Sequence, residues 1–170
     1  MKRTVFGAFL IFLCSLALIS CGYSNKDCKS VYEDYKRAYG ELPSGALYIK
    51  GAREWEDGYM TEELFSSLYQ GQRELTELDL IEDCAIYLSS SPYFFGEIGI
   101  FLCYGNADTE AIAKMCHRRI SLISDLKNLS GHPLEDCLEN ARVLVSGRYV
   151  VYSVMRDKRA SERALGACLK

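Results

Sequence analysis

The C-terminal half of the chain carries apolar residues with the period of β-strands. This alternation predicts strands over residues 84–89 and 97–104, joined by a turn that contains a proline. A second pair of apolar stretches covers residues 141–145 and 149–155 and flanks a Ser146-Gly147 turn. The sequence therefore predicts two successive β-hairpins.

Helical spacing follows each hairpin. Apolar residues three and four apart predict a long helix over about 108–128, capped by Asn106 or Asp108, and a closing helix over 157–169. Residues 81–170 thus form a predicted β-β-α-β-β-α domain of the α+β class, with a four-stranded antiparallel sheet and its helices on one face. The last strand is apolar on both faces. It is therefore either a central strand or one with a covered second face, for which the N-terminal helix is the candidate cover.

Residues 30–80 form a helical and irregular N-terminal part. Ser30 is the predicted cap of a first helix, and Thr61, followed by two glutamates, is the predicted start of a second. Between the two helices, the glycine-rich stretch around Leu47-Tyr48-Ile49 is typical of an irregular segment or a short strand.

The first 20 residues have the pattern of a secretory signal. Two basic residues precede an apolar run over residues 5–19, which is shorter than the roughly 20 residues that a membrane-spanning helix needs. The run ends in a motif that resembles a lipobox, made of Leu18, Ile19, Ser20 and Cys21. We therefore predict a cleaved lipoprotein signal peptide (1–20) and a lipidated tether (21–29). Diacylglyceryl attachment at Cys21 would anchor the protein on the extracytoplasmic face of the cell membrane.

The charge of the chain argues against two classes of partner. The sequence has 20 basic and 23 acidic residues, a net charge of −3, and loss of the two basic residues of the signal leaves −5. Nucleic acids and anionic lipid surfaces select clustered Lys and Arg. We therefore expect no nucleic-acid binding, with the membrane contacted through the lipid anchor and an unidentified envelope protein as the candidate partner.

Six cysteines remain once Cys14 leaves with the signal and Cys21 is lipidated. They are Cys28, Cys84, Cys103, Cys116, Cys137 and Cys168. An extracytoplasmic address permits disulfides, but apolar surroundings favour buried thiols, and both readings stay open. Cys84 would lie opposite Cys103 if the first hairpin turned through residues 92–95, whereas a five-residue loop would put them on opposite faces. No spacing is that of a metal site, so no metal or cofactor is expected.

Few other residues suggest chemistry. His117 and His132 lack the spaced partners of a zinc site, and no catalytic residue is predicted. Three consecutive aromatic residues, Tyr93, Phe94 and Phe95, occupy the predicted turn of the first hairpin, where glycine, asparagine and aspartate are usual. They are candidates either for contact with a partner or for folding back over the core.

Several stretches resemble domain of unknown function 4358, a family of small lipoproteins of Gram-positive bacteria. These stretches are Leu64-Phe65 with Leu68-Tyr69, Asp83 to Ser90, Gly96 to Phe101, Asn140 to Val143, and Gly147 to Val150. The resemblance covers roughly residues 60–170. It implies the same architecture and membrane address, and it brings no activity, ligand or catalytic residue.

These features favour a non-catalytic binding or envelope-accessory domain on a membrane anchor. The alternative is an envelope enzyme that uses a cysteine nucleophile or a redox-active cysteine pair. An enzyme requires an accessible thiol with a histidine or an acid in reach, whereas a binding domain requires an accessible apolar or aromatic surface.

Overall fold

A computed structural model describes residues 26–54, 56–69, 77–91, 95–130 and 134–169. Its helices are α1 (Cys28–Tyr39), α2 (Glu62–Tyr69), α3 (Thr109–Ser130), α4 (Glu135–Glu139) and α5 (Lys158–Cys168). Its strands are β1 (Gly45–Ile49), β2 (Ile81–Ser89), β3 (Glu97–Cys103), β4 (Arg142–Ser146) and β5 (Tyr149–Val154). The predicted α+β class is confirmed.

The strands form one antiparallel sheet in the order β1-β2-β3-β5-β4. The prediction of four strands was wrong, because the short stretch around Leu47 is a fifth strand that pairs with the outer edge of β2. That pairing provides hydrogen-bond partners for backbone groups of β2 that would be unpaired if β2 were an edge strand. The outer side of β1 is in turn partly covered, since the backbone N–H of Ile49 donates to the carbonyl of Gly58 at 2.8 Å.

Helices cover both faces of the sheet, which corrects the prediction of helices on one face only. On one face, here called the α3 face, α2, α3 and α4 pack on Phe101 and Tyr152. On the opposite face, the α1 face, α1 and α5 pack on Ile98, Ile100 and Val151. Every residue of β3 and β5 is buried. A sheet covered on one side would leave half of these side chains in water, so the predicted second cover by the N-terminal helix is confirmed.

Local hydrogen bonds define the helix starts. Asp27, not Ser30, caps α1, because its extended backbone lets the carboxylate accept from the Ser30 N–H at 2.6 Å. Thr61 caps α2 as predicted, through Oγ1 and the N–H of Leu64. Before α3, a 3-10 turn intervenes in which the Asp108 carboxylate accepts from the N–H of Gly105 at 2.9 Å. Asp157 caps α5.

The registers of both hairpins differ from the predicted ones. Ser146 pairs with Tyr149, so the second turn is Gly147-Arg148, and the left-handed φ of 56° explains the glycine. In the first hairpin Cys84 pairs with Phe101 and Cys103 with Ile81. The two cysteines therefore share the α3 face without lying opposite each other, and neither of the two registers considered from sequence applies.

Candidate functional site

A cavity of about 730 Å³ opens at the end of the sheet where β3 begins and β5 ends. This volume is within the range of small-ligand sites. Six lining residues are mainly apolar, namely Tyr39, Leu42, Pro43, Phe95, Met155 and Ala160. They come from four separate parts of the chain: the end of α1 with the segment that follows it, the segment before β3, the segment after β5, and α5. The cavity is therefore a product of tertiary packing.

The wall formed by residues 41–43 is fixed where α1 ends. Gly40 adopts a φ of 106°, which redirects the chain, and its N–H donates to the carbonyl of Lys36 at 2.9 Å. The hydroxyl of Tyr87 then donates to the carbonyl of Pro43. Because Tyr87 is a buried residue of β2, this bond holds the wall against the sheet.

The opposite wall depends on close packing at the start of β3. A side chain at Gly96 would place its Cβ 3.0 Å from the sulfur of Met155 and 3.6 Å from Pro43. The carbonyl of Gly96 accepts from the N–H of Ser89 at 2.8 Å, which continues the hairpin ladder. Phe95, next to it, is half-buried and packs against the core of the α3 face while lining the cavity.

Three charged residues line the cavity, and two of them contact other parts of the fold. Arg156 pairs with Asp136 at 3.6 Å, and the carbonyl of Arg156 accepts from the side chain of Asn140 at 2.8 Å. The carboxylate of Asp157 accepts from the N–H of Ala160 at 2.9 Å as the cap of α5. Glu41 is an exposed lining residue. All three charged residues are exposed and therefore belong to the rim of the cavity.

Cys137 is the one cysteine among the described lining residues. It is 2 % exposed, and its thiol points toward the carbonyl of Phe95 at 3.7 Å. Burial raises the pKa of the Cys137 thiol, an effect that the nearby Arg156 guanidinium partly opposes. The group is therefore a protonated thiol at neutral pH, which is a weak nucleophile.

A buried ion pair lies next to this end of the sheet on the α3 face. Glu97, the first residue of β3, accepts two hydrogen bonds from Arg119, each of 2.7 Å. The Tyr152 hydroxyl donates to the same carboxylate, and the hydroxyls of Tyr69 and Tyr152 lie 2.7 Å apart. The Arg119 guanidinium also donates to the carbonyl of Leu68 at 3.3 Å. These mutual bonds identify the cluster as a structural support.

Sequence reasoning missed this ion pair. Neither Glu97 nor Arg119 is among the site residues that the sequence predicts. Two signals were present in the sequence: an acid within an otherwise apolar strand, and an arginine at a core-facing helical position. Their pairing across 22 residues is visible only in the fold.

Only part of the predicted site lies within the described residues. Phe95 lines the cavity, whereas Tyr93, Phe94, His132 and the lipobox residues Leu18 to Cys21 lie outside the described residues. His117 is exposed on α3. The six cysteines among the described residues are all buried free thiols. Burial raises the pKa of Cys84 to about 12 and that of Cys103 and Cys168 to about 11.

Within the ranges that the structure covers, no group of three or more His, Cys, Asp or Glu side chains is placed to hold a metal ion. In the same part of the chain, no helix has the length and apolarity required to cross a membrane.

Comparison with known proteins adds no relative. No family model, no curated protein and no solved structure matches the chain.

Proposed function

We propose that this protein is a lipid-anchored extracytoplasmic domain that binds another component of the cell envelope without catalysing a reaction. The observation that carries the proposal is the cavity of about 730 Å³ with its apolar and aromatic lining. Phe95, one of the three aromatic residues that are candidates for contact with a partner, belongs to that lining. The resemblance to domain of unknown function 4358 supports the same address.

The lipid anchor is the first element to test. Cys21→Ser removes the acceptor of the diacylglyceryl group, so we expect the variant to leave the membrane fraction or to retain its signal peptide. Fractionation with detergent-phase partition and intact-mass measurement distinguishes these outcomes from normal processing. Cys14→Ser is the matched control, because residue 14 lies within the predicted signal and its loss leaves the mature protein unchanged. Unaltered partition and mass of Cys21→Ser would contradict the anchor.

One observation favours the alternative of a cysteine-dependent enzyme. Cys137 lines the cavity beside Arg156, the arrangement in which a thiol meets a bound substrate. Against this alternative, the pKa of the thiol is raised by burial, and a nucleophilic cysteine requires a lowered pKa.

Native-state alkylation with iodoacetamide and mass mapping separates the two functions. We expect each of the six thiols to react more slowly than glutathione while the protein is folded, and all to react in urea. Rapid native labelling of Cys137 would favour the enzyme. Cys137→Ser supplies the matched control for assignment of the labelled peptide.

A further inference from the structure

The chain that enters the domain from the predicted anchor is fixed at one end of the sheet. The Cys28 N–H donates to the Asp83 carboxylate at 2.7 Å, and the Tyr149 hydroxyl donates to the carbonyl of Lys26. Lys26 also pairs with Asp34 at 2.8 Å. Asp83 lies near the start of β2 and Tyr149 begins β5, so Lys26 sits at the end of the sheet where these two strands begin.

The cavity lies at the opposite end. Its residues Phe95 and Met155 precede β3 and follow β5, and Tyr39 is the last residue of α1. The 12 residues of α1 extend about 18 Å, and the seven residues of β3 extend about 20 Å. The cavity is therefore about 20 Å from the point where the tether joins the domain.

The tether is too short to reverse this orientation. Five residue steps separate Cys21 from Lys26, which span at most about 18 Å when fully extended. Turning the cavity end of the sheet to face the bilayer would require the tether to run back along the whole sheet and around its end. With the mature charge of −5, the domain also has no net attraction to an anionic lipid surface.

The chemical character of the residues that line the cavity favours one class of ligand. A sugar would bury hydroxyl groups, each of which needs a hydrogen-bond partner. Among the described lining residues, however, Tyr39 alone carries a hydroxyl, and the three charged residues, Glu41, Arg156 and Asp157, are exposed to solvent and do not line the buried part of the cavity. An aliphatic or aromatic side chain needs only the apolar contacts that Leu42, Phe95 and Met155 offer.

We propose that the cavity faces away from the membrane and receives an apolar side chain from an extracytoplasmic protein, not a lipid of the anchoring bilayer. This inference rests on the proposed function, since it requires both the anchor at Cys21 and a binding role for the cavity.

The orientation is tested on the full-length lipidated protein in nanodiscs that contain a gadolinium-chelating lipid. Methyl NMR compares Ile81, at the tether end of β2, with Met155 in the cavity. We expect strong paramagnetic broadening of Ile81 and weak broadening of Met155. Lengthening the tether with a Gly-Ser insert after Gly22 is expected to reduce the difference. Equal or greater broadening of Met155 would overturn the orientation, whereas no broadening of either methyl would instead refute the anchor.

The ligand class is tested with defined probes on the same samples. We expect N-acetyl-Leu-Phe-amide to shift the Met155 methyl signal saturably, and N-acetylglucosamine and dihexanoyl-phosphatidylglycerol to leave it unchanged. Ala160→Met and Leu42→Trp fill the cavity from α5 and from the loop, and each is expected to weaken the peptide by at least about tenfold. Gly166→Ala is the control on α5, since its Cβ would meet no atom within 4 Å. A shift caused by the lipid or the sugar but not by the peptide would overturn the proposal, as would full peptide affinity in both folded cavity-filling variants.

Discussion

The two faces of the sheet bury polar groups in different ways. The α3 face holds a charged pair, in which the Glu97 and Arg119 side chains are only 2 % and 11 % exposed. The α1 face holds a neutral cluster instead, in which the Tyr35 hydroxyl lies 2.8 Å from that of Ser153 and 3.2 Å from that of Ser161. Both clusters cross-link the sheet to a helix, and both involve β5 or its neighbour β3.

The difference lies in what remains after one member is lost. A charge left alone in the interior retains its full desolvation cost, because no water replaces its partner. A buried hydroxyl that loses its partner has a smaller desolvation cost. In addition, the hydroxyls of Ser153 and Ser161 form a hydrogen bond of 2.8 Å with each other. Removal of one polar side chain is therefore expected to destabilise the protein much more on the α3 face than on the α1 face.

The largest effect is expected for Arg119→Met. Removal of the guanidinium leaves the buried Glu97 carboxylate with the Tyr152 hydroxyl as its remaining partner in the cluster. We expect the free energy of unfolding to fall by about 3–5 kcal/mol, measured by urea denaturation at pH 7.

Two variants act as controls for this prediction. Lys114→Met removes an exposed ion pair with Glu110 on the same helix and is expected to leave the free energy of unfolding nearly unchanged. The double variant Glu97→Leu/Arg119→Met removes both charges and is expected to recover part of the loss. Equal effects of Arg119→Met and Lys114→Met would show that the buried pair has no special role.

The elements of this comparison were predictable from sequence to different degrees. The strands of both hairpins and the helices α3 and α5 follow from periodicity, because these segments have clear apolar stripes. The apolar residues on both faces of β5 indicated that the second face of the sheet could be covered by a helix. The partner of Glu97 and the walls of the cavity were not predictable, since both depend on contacts between residues far apart in the chain. The registers were missed because turn length, which sets them, is poorly defined by composition.

The second largest effect is expected for Gly99→Ala, also on the α3 face. Gly99 pairs with Tyr152, and a Cβ at residue 99 would lie 2.0 Å from the Tyr152 ring. The ring cannot easily move, because it is stacked on Phe101 and its hydroxyl is bonded to Glu97. We expect a loss of about 1–3 kcal/mol in urea denaturation.

Gly166→Ala on α5 is the matched control for the glycine substitution. Its added methyl meets no atom within 4 Å, so the helix should gain about 0.4–1 kcal/mol. If Gly99→Ala were as stable as the unmodified protein, the ring of Tyr152 would have an alternative position, and our inference that this ring is fixed would be wrong.

Ionisation of thiols is expected to affect both faces alike. Cys84 on the α3 face has a folded pKa of about 12 and Cys168 on the α1 face one of about 11, both raised first by burial from an ordinary value of 9.0. The unfolded state loses these protons at lower pH than the folded state does. The contribution of the two thiols to the free energy of unfolding is therefore fully present below pH 9 and is lost as the pH rises toward 11 and 12.

Replacement of one cysteine at a time measures how much its thiol contributes to the pH dependence of stability. Between pH 7 and pH 10 the stability of Cys84→Ala and of Cys168→Ala should fall by about 1–2 kcal/mol less than that of the unmodified protein, whatever their stability at pH 7. Urea denaturation across this range gives the difference. Parallel pH profiles for all three proteins would show that these thiols ionise as readily in the folded state as in the unfolded one.

The smallest effect is expected for Tyr35→Phe on the α1 face. The substitution keeps the ring that packs among the core residues and removes only the hydroxyl, so no large cavity forms. Ser153 and Ser161 keep their mutual hydrogen bond, which leaves neither of them without a partner. We therefore expect a loss of about 1 kcal/mol in urea denaturation, well below that of Arg119→Met. A loss of the same size as for Arg119→Met would mean that the neutral hydroxyl cluster supports the fold as strongly as the buried charges do, and the proposed contrast between the faces would fail.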